Sequence, residues 1–225
     1  MLLDAGHVSL PQQAEHHGAG GEHEDATGLR ERKKQATREA LVQVGVELFV
    51  ERGYDETTLA DIAEAAGVSP RTIFAYFPSK EDILFTTIDR MCGSLESALD
   101  ERPAGVDALS ALREFILATA PQKSELDCRL AQSITADATL ASHRRARIGQ
   151  MQEVLATAIA ADLGVGSEDR RPQIAAASLT AAFELLELDT QPGEWAPPTR
   201  DEIATAIDPV LSFVRAGLGA EKGSA

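Results

Sequence analysis

Three short polar signals follow one another in residues 57–82, TTLADIAEAAGVSPRTIFAYFPSKED. Thr58 with Asp61, and Ser79 with Asp82, have the spacing in which a hydroxyl and a carboxylate cap the start of a helix reciprocally. Between them Ser69 stands before Pro70, a capping hydroxyl followed by proline at the first helical position. Such helix starts collect free backbone N–H groups and the positive end of the helix dipole. Arg71 and Lys80 add cations on either side of the second helix. The chemistry on offer is non-covalent recognition of anions, phosphate above all.

These groups need three helices to hold them. Gly67 sits at the turn, where a left-handed backbone is cheap only for glycine. Ala63 allows close contact between helices, and Ile73, ten residues later, is placed to pin the second helix on the first. Two helices joined by so tight a turn make a helix-turn-helix, whose second helix fits the major groove of B-DNA. Ahead of it a helix is expected from about residue 29 to 52, with Ala36, Ala40, Leu41, Val44, Leu48 and Phe49 on one face. Gly53 is its expected left-handed cap, with Tyr54 folding back. Gly45 inside that helix costs about 1 kcal/mol against alanine, which points to close packing there. After the motif one helix is expected over residues 80–99, then helices over 106–120, 124–135, 138–163 and 171–189. A proline-rich loop, QPGEWAPP, precedes a last helix over residues 200–216, with Pro209 kinking it or delaying its start. The fold class expected is all-α.

Composition narrows the function. No apolar stretch is long enough to cross a bilayer, and the N-terminus lacks the charged-then-apolar pattern of a secretory signal, so a cytoplasmic location is expected. Cys92 and Cys128 have no metal-ligand spacing and read as reduced thiols. His7, His16, His17 and His23 are irregularly spaced in residues 1–28, which read as a flexible tail, so no metal is expected. An all-α enzyme is the competing class, but there is no nucleophile elbow, phosphate-binding glycine loop or E-x-x-H spacing. His143 with Arg144, Arg145 and Arg147 could meet an anionic ligand such as an acyl-CoA, or form a solvated face.

A net charge of −15 sits badly with DNA binding until it is divided along the chain. Residues 1–28 carry five acids and no Lys or Arg; residues 29–80 carry eight bases and eight acids; the remainder carries 13 bases against 23 acids. Arg30, Arg32, Lys33, Lys34 and Arg38 crowd the entry to the first helix. Local basicity there can attract phosphates while the acidic body discourages indiscriminate binding.

The order F-V-E-R-G-Y ending at Tyr54, then Thr57-Thr58, D-I-A ending at Ala63, G-V-S ending at Ser69, and F-P-S-K-E from Phe77 resembles the TetR/AcrR family of bacterial transcriptional regulators. The resemblance covers roughly residues 36–85. It implies a tail over residues 1–28, a helix-turn-helix domain over 29–85 and a larger helical domain over 86–225 for effector binding and dimerisation. It further implies a homodimer on a palindromic double-stranded DNA operator, most often a repressor, released by a small hydrophobic or amphipathic effector; no cofactor is expected. A constitutive DNA binder without an effector is the alternative within this class.

Carried over by position, Ser69, Pro70, Arg71, Thr72 and Ala75 face the groove, and Thr58, Tyr76, Lys80 and Arg38 serve the DNA backbone. An arginine at position 71 can pair in a bidentate way with guanine O6 and N7. Phe74 stands where the family often has tyrosine, and Ile73 and Phe77 are expected in the core. The family's last two helices form the dimer interface, which here would use Leu179, Phe183, Leu186, Ile203, Ile207, Val210, Leu211 and Val214. Phe115, Ile116, Thr119, Leu130, Ile134, Met151 and Leu155 are candidates for an effector pocket, with Trp195 as its lid or a cover for the dimer edge. The helix from Lys80 is the expected lever between the two domains.

Overall fold

The computed structural model describes residues 22–188 and 196–219, and every element among them is helical. The chain divides at Leu84/Phe85 into two compact units. The first contains α1 (Glu22–Arg52), α2 (Leu59–Ala65), α3 (Pro70–Tyr76) and α4 (Lys80–Leu84). The second contains α5 (Thr86–Asp100), α6 (Ala108–Thr119), α7 (Glu125–Ala136), α8 (Ala138–Leu163), α9 (Arg171–Leu188) and α10 (Arg200–Gly219). No described helix is long and apolar enough to cross a membrane. Residues 1–21 of the expected tail, and Trp195, lie outside the described residues.

The helix starts of the first unit form as their spacing dictates. The Thr58 N–H donates to Asp61 Oδ2 at 2.8 Å while the Asp61 N–H donates to Thr58 Oγ1 at 3.2 Å. The Thr58 hydroxyl and backbone N–H hold the Asp61 carboxyl below its ordinary value. Ser69 Oγ accepts from the Thr72 N–H at 3.1 Å. Ser79 and Asp82 repeat the reciprocal arrangement at 3.0 and 3.3 Å. At the end of α2 the Val68 N–H reaches the Ala63 carbonyl at 2.9 Å and the Gly67 N–H reaches Glu64 at 3.0 Å, with Gly67 at φ +68°. That paired termination turns the chain within two residues and sets α3 against α2.

The core of this unit is made by Leu41, Val46, Phe49, Ile62, Ala63, Ile73, Phe77 and Ile83, all buried. Ala36, expected on the apolar face of α1, is exposed, while Val42 and Val46 are buried; packing of α1 begins only near residue 41. The helix itself starts at Glu22, seven residues before the expected start. Gly45 is where α1 comes closest to α4: a Cβ there would meet Ile83 Cγ2 at 2.6 Å.

Lys80 is engaged rather than solvated. Its ammonium donates to the carbonyls of Tyr54 at 2.7 Å, Thr57 at 3.2 Å and Asp55 at 3.4 Å, and lies 4.1 Å over the Tyr54 ring. Tyr54 packs on Phe49 at 5.3 Å, and its hydroxyl holds the Glu81 carboxyl below the ordinary range. The first turn of α4 therefore ties down the loop between α1 and α2.

The expected continuous helix over residues 80–99 is two helices. Phe85 leaves the helical region at φ −97°, ψ 3°, and is fully buried with the Arg147 guanidinium 4.3 Å over its ring. The break and the buried ring against α8 occur at the same residue. In the second unit Leu95, Leu99, Leu112, Leu155, Ile159, Leu179, Ile207 and Leu211 form the core between α5, α6, α8, α9 and α10. Helix α10 runs through Pro209, whose exposed position leaves the unpaired Thr205 carbonyl to water.

Two outcomes are expected from this packing. Gly45→Ala gains about 1 kcal/mol of helix propensity but overpacks Ile83 at a cost of about 1–3 kcal/mol. A net loss of stability in urea denaturation is the expected result, and a raised midpoint contradicts the close approach. Lys80→Met keeps the apolar stem and removes the charge; it should cost about 1–2 kcal/mol through the three carbonyls left without their donor. A solvated surface lysine would change stability by less than about 0.5 kcal/mol.

Candidate nucleic-acid interface

The faces of α3 are set by two anchors. Ile73 and Phe77, four residues apart, are fully buried, so positions 71, 74 and 75 fall on the opposite side. Arg71, Phe74 and Ala75 are all exposed there, next to exposed Ser69 and Pro70. Thr72 and Tyr76 are half-buried, with Thr72 Oγ1 2.7 Å from Ser69 Oγ. The Arg71 guanidinium makes no ion pair among the described residues, and α3 contains no acidic residue. Thr58 is exposed at the capped N-terminus of α2. The outward face of α3 offers a guanidinium without an ion pair among the described residues and small hydroxyls at its start, a set suited to base edges and phosphate oxygens.

Two expected backbone contacts are committed within the fold. Arg38 Nη1 donates to the Tyr76 carbonyl at 3.2 Å, and its guanidinium stacks 4.3 Å over Phe77. It ties α1 to the C-terminal end of α3. Lys80 caps the α1–α2 loop, as described above.

Phe74, which by the resemblance packs against either a DNA sugar or the core, has a side chain 59% exposed. Its position was legible: with Ile73 and Phe77 inward, residue 74 must turn outward with residue 71. An outward phenyl ring in a groove is suited to thymine methyl groups.

In the second unit most of the expected dimer residues lie in the chain's own core. Leu179, Ile203, Ile207, Leu211 and Val214 are buried inside the single chain, where they hold α9 and α10 on the core. Phe183 and Val210 are partly buried against the same core, and the side chain of Leu186 lies outside the described ones. The outward faces carry different residues. On α9 these are Ile174, 63% exposed, with Ala177, Ser178 and Ala181; on α10 they are Thr205, Pro209, Ser212, Phe213, 77% exposed, and Ala216. The first turn of α10 adds exposed Asp201 and Glu202 at one end of that face. Heptad-like apolar spacing in α10 marks its strongest face, and that face belongs to the chain's own core. Ile174 and Phe213 stand off it and were missed for that reason.

The expected effector residues also spread into packing. Leu130, Ile134 and Leu155 are buried, and Phe115, Ile116 and Met151 pack partly against the core. Thr119 Oγ1 donates to the Phe115 carbonyl at 2.8 Å, within its own helix. Neither described depression is lined by any of these seven: one is bordered by Asp100, Arg102, Asp107 and Asp162, the other by Asp89, Ala146, Arg147 and Gln150. Phe115, Ile116, Met151 and Leu155 all belong to the packing of the second unit's core. The basic cluster on α8 is partly spent as well, since Arg147 pairs with Asp89 at 3.0 Å while stacking on Phe85. Cys92 lies beside this pair, its thiol pushed up by burial and by Asp89, which leaves it a poor nucleophile.

Residues 41–86 match the family model of bacterial regulatory proteins, tetR family. The HTH-type transcriptional regulator TcmR of Streptomyces glaucescens is 45% identical over 85 residues, which span 38% of this chain and 38% of TcmR. Among solved structures, Thermus thermophilus FadR, a TetR-family transcriptional repressor in complex with lauroyl-CoA, is 23% identical with a TM-score of 0.54, covering 84% of this chain and 98% of that one. The SmeT–triclosan complex is 22% identical with a TM-score of 0.59, covering 79% and 91%. Residues 41–86 therefore carry the sequence signature of the helix-turn-helix domain of the TetR family of bacterial regulatory proteins, and the chain as a whole shares the fold of these solved structures.

Proposed function

We propose that this protein is a transcriptional repressor that binds a palindromic operator as a homodimer and is released by a small hydrophobic or amphipathic effector. The observation that carries the reading is the outward face of α3, where Arg71, Phe74 and Ala75 stand free of the fold on a helix without acids. Arg71 pairs with a guanine edge, Phe74 and Ala75 meet apolar groups in the groove, and the N-termini of α2 and α3 receive phosphates. A cytoplasmic location follows from action on the operator.

Dimerisation uses the outward faces of α9 and α10. Ile174 and Phe213 are large apolar side chains exposed beside small residues (Ala177, Ser178, Ala181; Pro209, Ser212, Ala216), an apolar centre with exposed Asp201 and Glu202 toward its rim, as helical interfaces are built. A palindromic operator asks such a dimer to place its two α3 helices in successive major grooves, about 34–36 Å apart.

Induction is a population shift. A ligand that binds better to a form with wrongly spaced recognition helices lowers the fraction competent for DNA. Lauroyl-CoA and triclosan, bound by the two proteins of this fold, set the expected class: an apolar body, with or without an anionic head. Such a ligand would open the packing around Phe115, Ile116 and Met151, which are only partly buried.

Arg71→Ala should cost about 1–3 kcal/mol of specific binding and relax one base position in each half-site. Gel-shift titration against a duplex selected from a random pool reads both effects; unchanged affinity and unchanged preference contradict this orientation of α3. Phe213→Glu should leave the monomer folded while dissociating the dimer in sedimentation, because the residue contributes little to the intrachain core. Ile207→Glu, in contrast, should unfold the second unit by burying an unpaired charge.

A further inference from the structure

We propose that residues 28–36 form a rigid helical arm that grips DNA phosphates outside the half-site read by α3. The proposal rests on α3 as the groove-entering helix and adds a second nucleic-acid contact to it.

Helix α1 continues without interruption well beyond the body it packs on. Every residue from 28 to 36 is exposed, and buried positions begin at Leu41. Four of the five residues 30–34 are cationic: Arg30, Arg32, Lys33 and Lys34. Their only described ion pair is Lys34 with Glu31 at 3.5 Å, between two largely exposed side chains and therefore weak.

The direction of these charges is set by Arg38. Positions 30, 33, 34 and 38 lie on one helix face by the i, i+3, i+4, i+8 relation. Arg38 points from that face to the Tyr76 carbonyl and the Phe77 ring, at the C-terminal end of α3. Arg30, Lys33 and Lys34 thus extend the same face away from the end of the recognition helix. At 1.5 Å per residue, Lys34 stands about 6 Å and Arg30 about 12 Å further along than Arg38. A duplex that accepts α3 in its major groove brings a phosphate strand past that end of the helix, and the stripe continues outward along it.

Charge separation favours the same occupant. The chain beyond residue 80 is strongly acidic, so a polyanion is attracted to this stripe and repelled by the rest of the surface. The arm offers no broad apolar face: Leu29 and Ala36 are its only exposed apolar side chains longer than glycine. An anionic bilayer would find charge there but no anchor.

The test uses the full chain and a duplex that the protein selects from a random pool, prepared with long flanks and trimmed to the two half-sites. Wild type should bind the long duplex more tightly than the trimmed one. The variant Arg30→Gln/Lys33→Gln/Lys34→Gln should lose that difference, keep its base preference, and keep its melting temperature. Its slope of log affinity against log salt should fall by about 0.9 per contact removed, up to about 5 for a dimer. Equal binding of long and trimmed duplexes by wild type overturns the proposal without needing any variant, and leaves the reading of α3 intact. A reduced salt slope with no dependence on flank length places the stripe inside the half-site and overturns the flank contact. Failure of wild type to select any duplex removes the reading of α3 and the arm with it.

Discussion

Helix α3 has seven residues, too few to persist alone, and everything it presents depends on the burial of Ile73 and Phe77. Those two side chains decide which way Arg71 and Phe74 point. The rest of the first unit keeps their socket in shape. Gly45 lets α4 approach α1 closely enough for Ile83 to reach the same core, and Arg38 closes the far end of α3 over the Phe77 ring. Lys80 holds the loop that feeds α2, the helix on which α3 is set. Polar groups at both ends and an apolar pin in the middle make a short helix rigid enough to read a groove.

That rigidity uses side chains that a sequence comparison alone assigns to DNA. Arg38 and Lys80 have the right charge for phosphate, and both sit at the edge of the motif. Their donors instead meet backbone carbonyls of the turns they border. A carbonyl at a helix end or in a loop needs a partner, and a cation within reach supplies one with more strength than water. The exposed cations of the first unit outside these contacts are Arg71 on α3, Arg52 at the end of α1 and the stripe along the start of α1.

The second unit poses the opposite problem. Its helices are rich in alanine and leucine, and such helices pack closely on one another. The strongest apolar stripe of α10, through Ile203, Ile207, Leu211 and Val214, is consumed by the chain's own core. What remains outside is weaker by composition yet more telling by exposure: Ile174 and Phe213 are large apolar groups in water on otherwise small faces. Phe115, Ile116 and Met151, expected around an effector, pack partly against the same core.

Local signals determined much by themselves. Capping hydroxyls, prolines and glycines act within a few residues of chain, so the helix starts at Leu59, Pro70 and Lys80, the turn at Gly67, and most helix bounds after residue 100 could be read directly. The small core of the first unit was legible for the same reason, since Ala63, Ile73 and Phe77 are fixed by spacing on short helices. Only the tertiary structure decided which of two apolar faces turns inward on α9 and α10, where helical periodicity marks a face without naming its partner. It alone placed the helix break at Phe85, whose ring meets α8, some 60 residues away in sequence. It showed, too, that Lys80 donates to three backbone carbonyls and Arg38 to one. A side chain's type states what it can bind, but which acceptor stands within 3 Å of it is a property of the packed fold.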